Sequence, residues 1–218
     1  MNKKLWTFGD SFTAFYNPNE GWANQYIKWK GYTPKVYGQI IAEKLGFDLV
    51  NLGRGRSDNY RILETICANS VGIKENDLII IGWSSPVRFR LVTETKYEMW
   101  ESILPSVKEN NYALTFNNTI SENTLNEILY NRKSFKYVEE VINWTKLIDK
   151  AFINNKVIHW SPFGDFGSIN SIRGCDRIYQ ETNGEVADGH YSEIGQNELA
   201  DELLRIIEVK KNKKNNLI

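Results

Sequence analysis

Ser11, His190 and Asp188 are the residues of this chain whose types fit one chemistry together. A serine hydroxyl becomes a useful nucleophile when an imidazole takes its proton. The imidazole in turn needs a carboxylate to hold its tautomer and stabilise its cation. Ser11 lies near the end of the run Leu5-Trp6-Thr7-Phe8-Gly9-Asp10-Ser11-Phe12-Thr13. The apolar part reads as a buried strand, and Gly9 permits a sharp turn at its end. Asp188-Gly189-His190 lies near the other end of the chain and runs into Ser192-Glu193-Ile194-Gly195, which reads as a helix start. The competing role for Ser11 is a helix N-cap, and for His190 a surface loop histidine. The other histidine, His159, ends a predicted strand beside Trp160 and is read as packing or rim rather than as a base.

Elements of alternating type are needed to bring these distant residues together. Residues 4–9 read as a strand, followed by a long connection rich in Gly, Asn, Pro and aromatics. Pro34 to Leu45 reads as a helix with an apolar stripe of Val36, Ile40, Ile41 and Leu45, closed by Gly46. Phe47 to Leu52 is a second strand, and Gly53-Arg54-Gly55-Arg56-Ser57-Asp58-Asn59 is a turn with helix-cap candidates at its end. Tyr60 to Val71 is helical, and Asp77 to Trp83 is a continuous apolar strand of the central parallel kind. Between Ser84 and Asn123 the pattern is mixed, with a helix over Tyr97 to Val107 that Pro105 ends or kinks. Leu125 to Phe152 reads as helix in two segments meeting near Ser134, and Lys156 to Trp160 as another strand. Phe163 to Ala187 is Gly-rich and aperiodic, and Ser192 to Val209 is a final amphipathic helix. The alternation predicts a three-layer α/β/α, doubly wound, mostly parallel sheet over residues 1–209, with 84–155 as an insertion and 210–218 as a polar basic tail. In such a sheet the functional rim lies at the C-terminal ends of the strands.

Four dispersed blocks resemble the SGNH hydrolases, the GDSL esterases and lipases. They are Phe8-Gly9-Asp10-Ser11, Asn51-Leu52-Gly53-Arg54-Gly55, Ile80-Ile81-Gly82-Trp83-Ser84-Ser85 and Asp188-Gly189-His190. Each alone is a weak signal, but together they follow the family's order, each at a predicted strand end or turn. The resemblance implies a flavodoxin-like fold and a serine esterase working through an acyl-serine intermediate. It places the nucleophile on Ser11, the base on His190 and the orienting carboxylate on Asp188. The oxyanion donors it implies are Ser11 and Gly55, with Gly53 as the other glycine register. Two departures stand out. The family's aspartate more often lies three residues before the histidine, whereas Asp188 lies two before it. Where the family has Gly-x-Asn-Asp, this chain has Gly82-Trp83-Ser84-Ser85, so that Ser84 donates, Asn59 or another group substitutes, or the oxyanion hole is weaker.

The remaining features set limits on partners. Among 218 residues, 27 are Lys or Arg and 27 are Asp or Glu, so nothing in the overall charge draws the chain to nucleic acid or anionic lipid. Cys67 and Cys175 make neither a metal pattern nor a disulfide scaffold. No membrane span and no signal peptide is read, which predicts a cytoplasmic or virion-associated protein. No metal or organic cofactor is implied. The expected partner is a small-molecule or carbohydrate ester, an acetyl ester among the candidates, with oligomeric state open. Arg54, Arg56, Arg88 and Arg90 read as solvated, with binding of an anionic substrate as the alternative. Trp22, Trp29 and Trp83 read as core, with sugar stacking as the alternative, and Asp165 receives no role. Two other functions fit the same fold: a non-catalytic binding or structural protein, phage-associated in one version, and an acyltransferase.

Overall fold

A strand buried on both faces must be apolar along its whole run, and this chain meets that condition at its centre, where every residue of Leu78–Gly82 is buried. The computed structural model describes residues 2–85, 88–90, 102–103, 135–164, 167 and 169–215. Strands β1 (Lys4–Gly9), β2 (Asp48–Asn51), β3 (Leu78–Gly82), β6 (Lys156–Ser161) and β7 (Asn170–Ser171) form one sheet in the order β2-β1-β3-β6-β7. Every pairing in it is parallel. Between β3 and β6, β4 (Phe89–Arg90) and β5 (Ser102–Ile103) make a separate antiparallel pair.

Side chains leave the central strands alternately. Leu5, Leu78, Ile80, Ile158 and Trp160 pack with α2 (Tyr37–Leu45) and α6 (Glu193–Asn215). Trp6, Phe8, Ile79, Ile81 and Val157 pack with α3 (Asn59–Asn69) and α4 (Phe135–Ala151). Helices therefore cover both faces, and the molecule is a three-layer α/β/α fold. A smaller cluster joins α1 (Gly21–Lys30) to α5 (Ile178–Glu181) through Tyr16, Ala23, Tyr26, Val36 and Ile178.

Some elements differ from the sequence reading. Helix α1 falls within the stretch read as a connection, and it buries only Ala23 and Tyr26, too little to print an apolar stripe. Helix α2 starts at Tyr37 rather than Pro34, because Val36 is still extended (φ −92°, ψ 160°). Strand β7 and helix α5 lie inside the stretch read as aperiodic, and both are too short to show a period. Helix α6 continues past Val209 to Asn215. The helix expected over Tyr97 to Val107 is contradicted at Ser102–Ile103, which pair as strand β5 with Phe89–Arg90; its other residues, and the first segment of the helix over Leu125 to Phe152, lie outside the described residues.

Two tertiary contacts set the central strands and their exits. At the N-terminal side, the buried Asp77 carboxylate accepts from Lys4 N (2.9 Å), Trp6 Nε1 (2.9 Å) and Lys74 N (2.9 Å). Burial opposes its ionisation, but these hydrogen bonds outweigh burial and hold the carboxyl below its ordinary value. At the C-terminal side, the chain after β1 turns back so that Thr13 sits against three glycines. A Cβ on Gly9 would lie 2.1 Å from Thr13 Oγ1, one on Gly82 2.7 Å from the same atom, and one on Gly53 2.7 Å from Thr13 C. None of the three has a positive φ. They are glycines for close approach and not for positive-φ geometry, which corrects the reading of Gly9 as the residue that permits the turn.

Two outcomes are expected. In Gly82→Ala the new methyl meets Thr13 and, at 2.9 Å, Trp160 Cζ2, so urea unfolding should show a loss of about 1–3 kcal/mol. Because the Asp77 carboxyl is lowered in the folded state, its contribution is present above the unfolded aspartate value and lost as pH falls through the folded one. Stability measured from pH 6 downward should therefore fall less steeply in Asp77→Asn than in the parent, the variant being already weaker at pH 6.

Candidate active site

The order of the sheet locates a crevice. The connection from β1 leads outward to β2, and that from β3 leads the other way to β6, so the strand order reverses between β1 and β3. Ligand sites in open parallel sheets lie at such a reversal, beyond the C-terminal strand ends. Ser11 is in the turn leaving β1 there. Asp10 O accepts from Thr13 N (3.0 Å) and Ala14 N (3.0 Å), and Asp10 Oδ1 accepts from Phe12 N (3.0 Å). This turn starts no helix, so Ser11 is not an N-cap.

The structure brings Ser11, His190 and Asp188 together. Ser11 Oγ is 2.7 Å from His190 Nε2, and His190 Nδ1 is 2.6 Å from Asp188 Oδ1. The same carboxylate oxygen accepts from the His190 backbone N–H at 2.8 Å. A carboxylate can only accept, so the ring proton is on Nδ1 and Nε2 is free to accept from the serine hydroxyl. Burial works against ionisation of Asp188, but the Nδ1 hydrogen bond, the attraction of the carboxylate for the imidazolium form of the ring and the backbone N–H together hold its carboxyl below its ordinary value. The two-residue spacing from Asp188 to His190 thus still permits contact, with backbone and ring served by one oxygen.

The loop carrying His190 is tied down along its length. Short helix α5 receives it: Ile178 N donates to His190 O (2.9 Å) and Tyr179 N to Asp188 O (3.0 Å). Arg177 Nη1 donates to Gly189 O (2.8 Å), and its guanidinium lies 4.3 Å from the centre of the Tyr191 ring. Tyr16, from the first loop, donates its hydroxyl to Tyr191 O (2.7 Å). Helix α6 then begins at the Ser192 cap, whose Oγ accepts from Gly195 N (3.1 Å). Tyr16 and Arg177 were not legible as site residues, since each acts through backbone carbonyls that a sequence does not place.

The second and third blocks arrange the rest of the rim. The Gly53 N–H is engaged by Asn51 Oδ1 (2.8 Å) and the Arg54 N–H by Gly9 O (3.0 Å). Among the described residues the N–H groups of Ser11 and Gly55 have no hydrogen-bond partner. The Gly53 register therefore offers no free donor. Gly55 has no positive φ either; a Cβ there would lie 2.8 Å from Glu20 Oε1, so its missing side chain makes room for that carboxylate. Positive φ in this turn falls on Arg56 (61°). Asn59 holds the third block: its Oδ1 accepts from Ser84 N (2.8 Å) and its Nδ2 donates to Ser84 O (3.1 Å). Asn59 is thus a clamp on the strand exit and does not substitute as a donor. Ser84 Oγ is fully buried and has no partner among the described residues.

Other residues singled out from sequence fall elsewhere. His159 is buried in β6, where its Nδ1 accepts from Trp83 Nε1 (3.1 Å) and its Nε2 lies 3.1 Å from Asp149 Oδ1. It therefore ties β3, β6 and α4 together. Trp83 is fully buried and offers no face to a sugar. Trp29 is 41% exposed, with its Nε1 donating to Glu185 Oε2 (3.1 Å). Trp22 stacks on the His190 ring, centroids 4.0 Å apart and planes 11° from parallel. Arg54 and Arg56 are exposed. Arg88 is not solvated as expected, because it turns inward to Asp10 Oδ2 (3.4 Å) and Ser57 O (3.2 Å). The Arg90 side chain and Asp165 lie outside the described residues. Among the described residues no group of three or more His, Cys, Asp or Glu could hold a metal ion, and no helix is long and apolar enough to cross a membrane.

No family model and no curated protein matches the chain. Among solved structures, one from Desulfitobacterium hafniense DCB-2, described provisionally as a lipolytic protein of G-D-S-L family, is similar at 15% identity and a TM-score of 0.41. That match covers 94% of this chain and 99% of the other. Likeness at this level assigns neither residues nor activity.

The Asn59 clamp gives an expected outcome. Asn59→Ala leaves the buried Ser84 N–H without its acceptor and should cost about 2–3 kcal/mol in urea unfolding. Amide exchange at Ser84 should quicken in the same variant.

Proposed function

We propose that the protein is a serine esterase acting through an acyl-serine intermediate. The observation that carries this reading is the unbroken chain Ser11 Oγ, His190 Nε2, His190 Nδ1, Asp188 Oδ1, with contacts of 2.7 Å and 2.6 Å. Its order of donors and acceptors suits proton removal from the serine. Ser11 Oγ attacks the ester carbonyl carbon as its proton moves to His190 Nε2. Asp188 keeps the resulting imidazolium in place. The tetrahedral oxyanion is received by the N–H groups of Ser11 and Gly55, which have no partner among the described residues, with the buried Ser84 hydroxyl as a third. The intermediate collapses, the C–O bond to the alcohol breaks, and the Nε2 proton leaves with the alcohol. Water, deprotonated by the same nitrogen, then attacks the acyl-serine carbonyl and releases the acid and free Ser11.

The four-block resemblance to SGNH hydrolases supports the same assignment from sequence order. Short acyl esters, acetylated carbohydrates among them, are the substrate class we assign. Serine in the asparagine position of the third block removes one amide donor. Loss of a single such donor lowers rates by about a hundred- to a thousandfold, so slow turnover is part of the reading. The same departure favours, as a second reading, a binding protein that keeps the fold without turnover.

A fluorophosphonate probe should label Ser11. Labelling should vanish in Ser11→Ala and be lost in His190→Ala. On a panel of short-chain and acetyl-glycan esters, each variant should fall more than about a thousandfold in kcat/KM. Equal turnover by the parent and Ser11→Ala overturns the nucleophile assignment. A folded but unlabelled parent supports the binding protein, and acyl transfer to an added alcohol in preference to water supports an acyltransferase.

A further inference from the structure

We infer that Trp22, clamped by Glu20, is a positioning residue for the His190 base: its indole face steadies the imidazole and favours the imidazolium formed when Ser11 gives up its proton. This rests on the serine-hydrolase reading above. The contact is face to face, 4.0 Å between centroids and 11° between planes. Neutral rings stacked this way gain dispersion alone, whereas a cationic ring over an indole face also gains from the ring quadrupole. The stack therefore favours the protonated ring over the neutral one, which is the difference a general base needs at the moment of transfer.

Glu20 gives the indole its orientation. Trp22 Nε1 donates to Glu20 Oε2 at 3.0 Å. Donation to a carboxylate leaves the indole more electron-rich, which strengthens attraction for a cation on its face. The other carboxylate oxygen fits where a Gly55 side chain would be, 2.8 Å from an ideal Cβ. Gly55 therefore serves the clamp by having no side chain. Tyr16 packs edge-on against Trp22 (5.7 Å, 61°), and Phe12 against the imidazole (5.1 Å, 37°). Helix α1, which carries Trp22, is itself fixed to the His190 side of the molecule. Lys30 Nζ pairs with Glu181 (2.9 Å) on α5 and Glu193 (2.6 Å) on α6.

The charged groups around the ring are few. Asp188 bonds Nδ1, Glu20 acts through the indole, and Arg177 acts through the Gly189 carbonyl. Glu181 and Glu193 are paired with Lys30, and Asp10, next to Ser11, is paired with Arg88. Among the charged side chains of the described residues only Asp188 bonds the ring itself. An effect of Trp22 on proton affinity should therefore be readable against a fixed electrostatic background.

The test compares the parent with Trp22→Leu, Trp22→Phe and Glu20→Gln. The readouts are the pH dependence of kcat/KM on p-nitrophenyl acetate and the titration of the His190 ring by NMR. Trp22→Leu should lower the plateau about tenfold and move both the acidic limb and the ring midpoint about half to one pH unit toward lower pH. Trp22→Phe should fall between, and Glu20→Gln should move the midpoint less but in the same direction. A purely structural Trp22 would lower the plateau and leave the midpoint in place, which overturns the proposal. Ring titration needs no turnover. A moved midpoint with Ser11 unlabelled by fluorophosphonate overturns the esterase reading alone, and a labelled Ser11 with an unmoved midpoint overturns the Trp22 role alone. If Trp22→Leu does not fold, Trp22→Phe, which keeps a ring beside the imidazole and every charge in place, decides by the same midpoint.

Discussion

The rim of this protein depends on one small side chain fitting among three missing ones. Thr13 occupies space left by Gly9, Gly82 and Gly53, at the exits of β1, β3 and β2 respectively. Any Cβ in that seat would lift the turn, and the turn carries Ser11. Close packing in a protein interior admits no half-measures of this kind, because a misfit of a few tenths of an ångström must be relayed to a neighbour. Asn51 adds a directional element, donating from Nδ2 to Thr13 O (2.9 Å) while its Oδ1 holds Gly53 N. The nucleophile's turn and the second-block turn are thus one unit, set by contact rather than by backbone preference.

A second set of ties brings the far end of the chain to that unit. His190 sits on a loop, but its flanking carbonyls are each bound by a donor from another segment: α5, Arg177 or Tyr16. Loops that carry chemistry are commonly held by a rigid scaffold, and here the scaffold is the short helix α5 with the α6 cap. The two histidines illustrate how similar polar pairs serve different ends. His159 faces a buried indole N–H and an aspartate and joins three elements. His190 faces a serine hydroxyl and an aspartate across a partly open rim, with side-chain exposures of 22% and 18% for the His190–Asp188 pair.

What could be read in advance follows from the range of each signal. Strands β1 and β3 are long apolar runs, and their identity and ends were legible. Helix α3 announced its start through Asp58, whose carboxylate accepts from Arg61 N (2.7 Å). Helix α1 was hidden because its buried face consists of Ala23 and Tyr26, and β7 because two residues carry no period. At the site, Ser11, His190 and Asp188 were legible from residue type and motif order. Glu20, Trp22, Tyr16 and Arg177 were not, since a tryptophan or an arginine is compatible with many environments.

Local chemistry in the chain by itself determined the alternation of strand and helix, the apolar centre of the sheet and the few groups able to exchange a proton near neutrality. Those properties belong to residues and their near neighbours, and a linear pattern contains them. Only the tertiary structure decided which glycine N–H remained free, that Asn59 holds Ser84 and offers no donor to the rim, and that Arg88 turns inward to Asp10. It also decided that an indole from helix α1 lies on the imidazole from the loop before α6. Each of these is a competition among partners distant in sequence, and it is resolved by distance and burial, which exist only once the chain has folded.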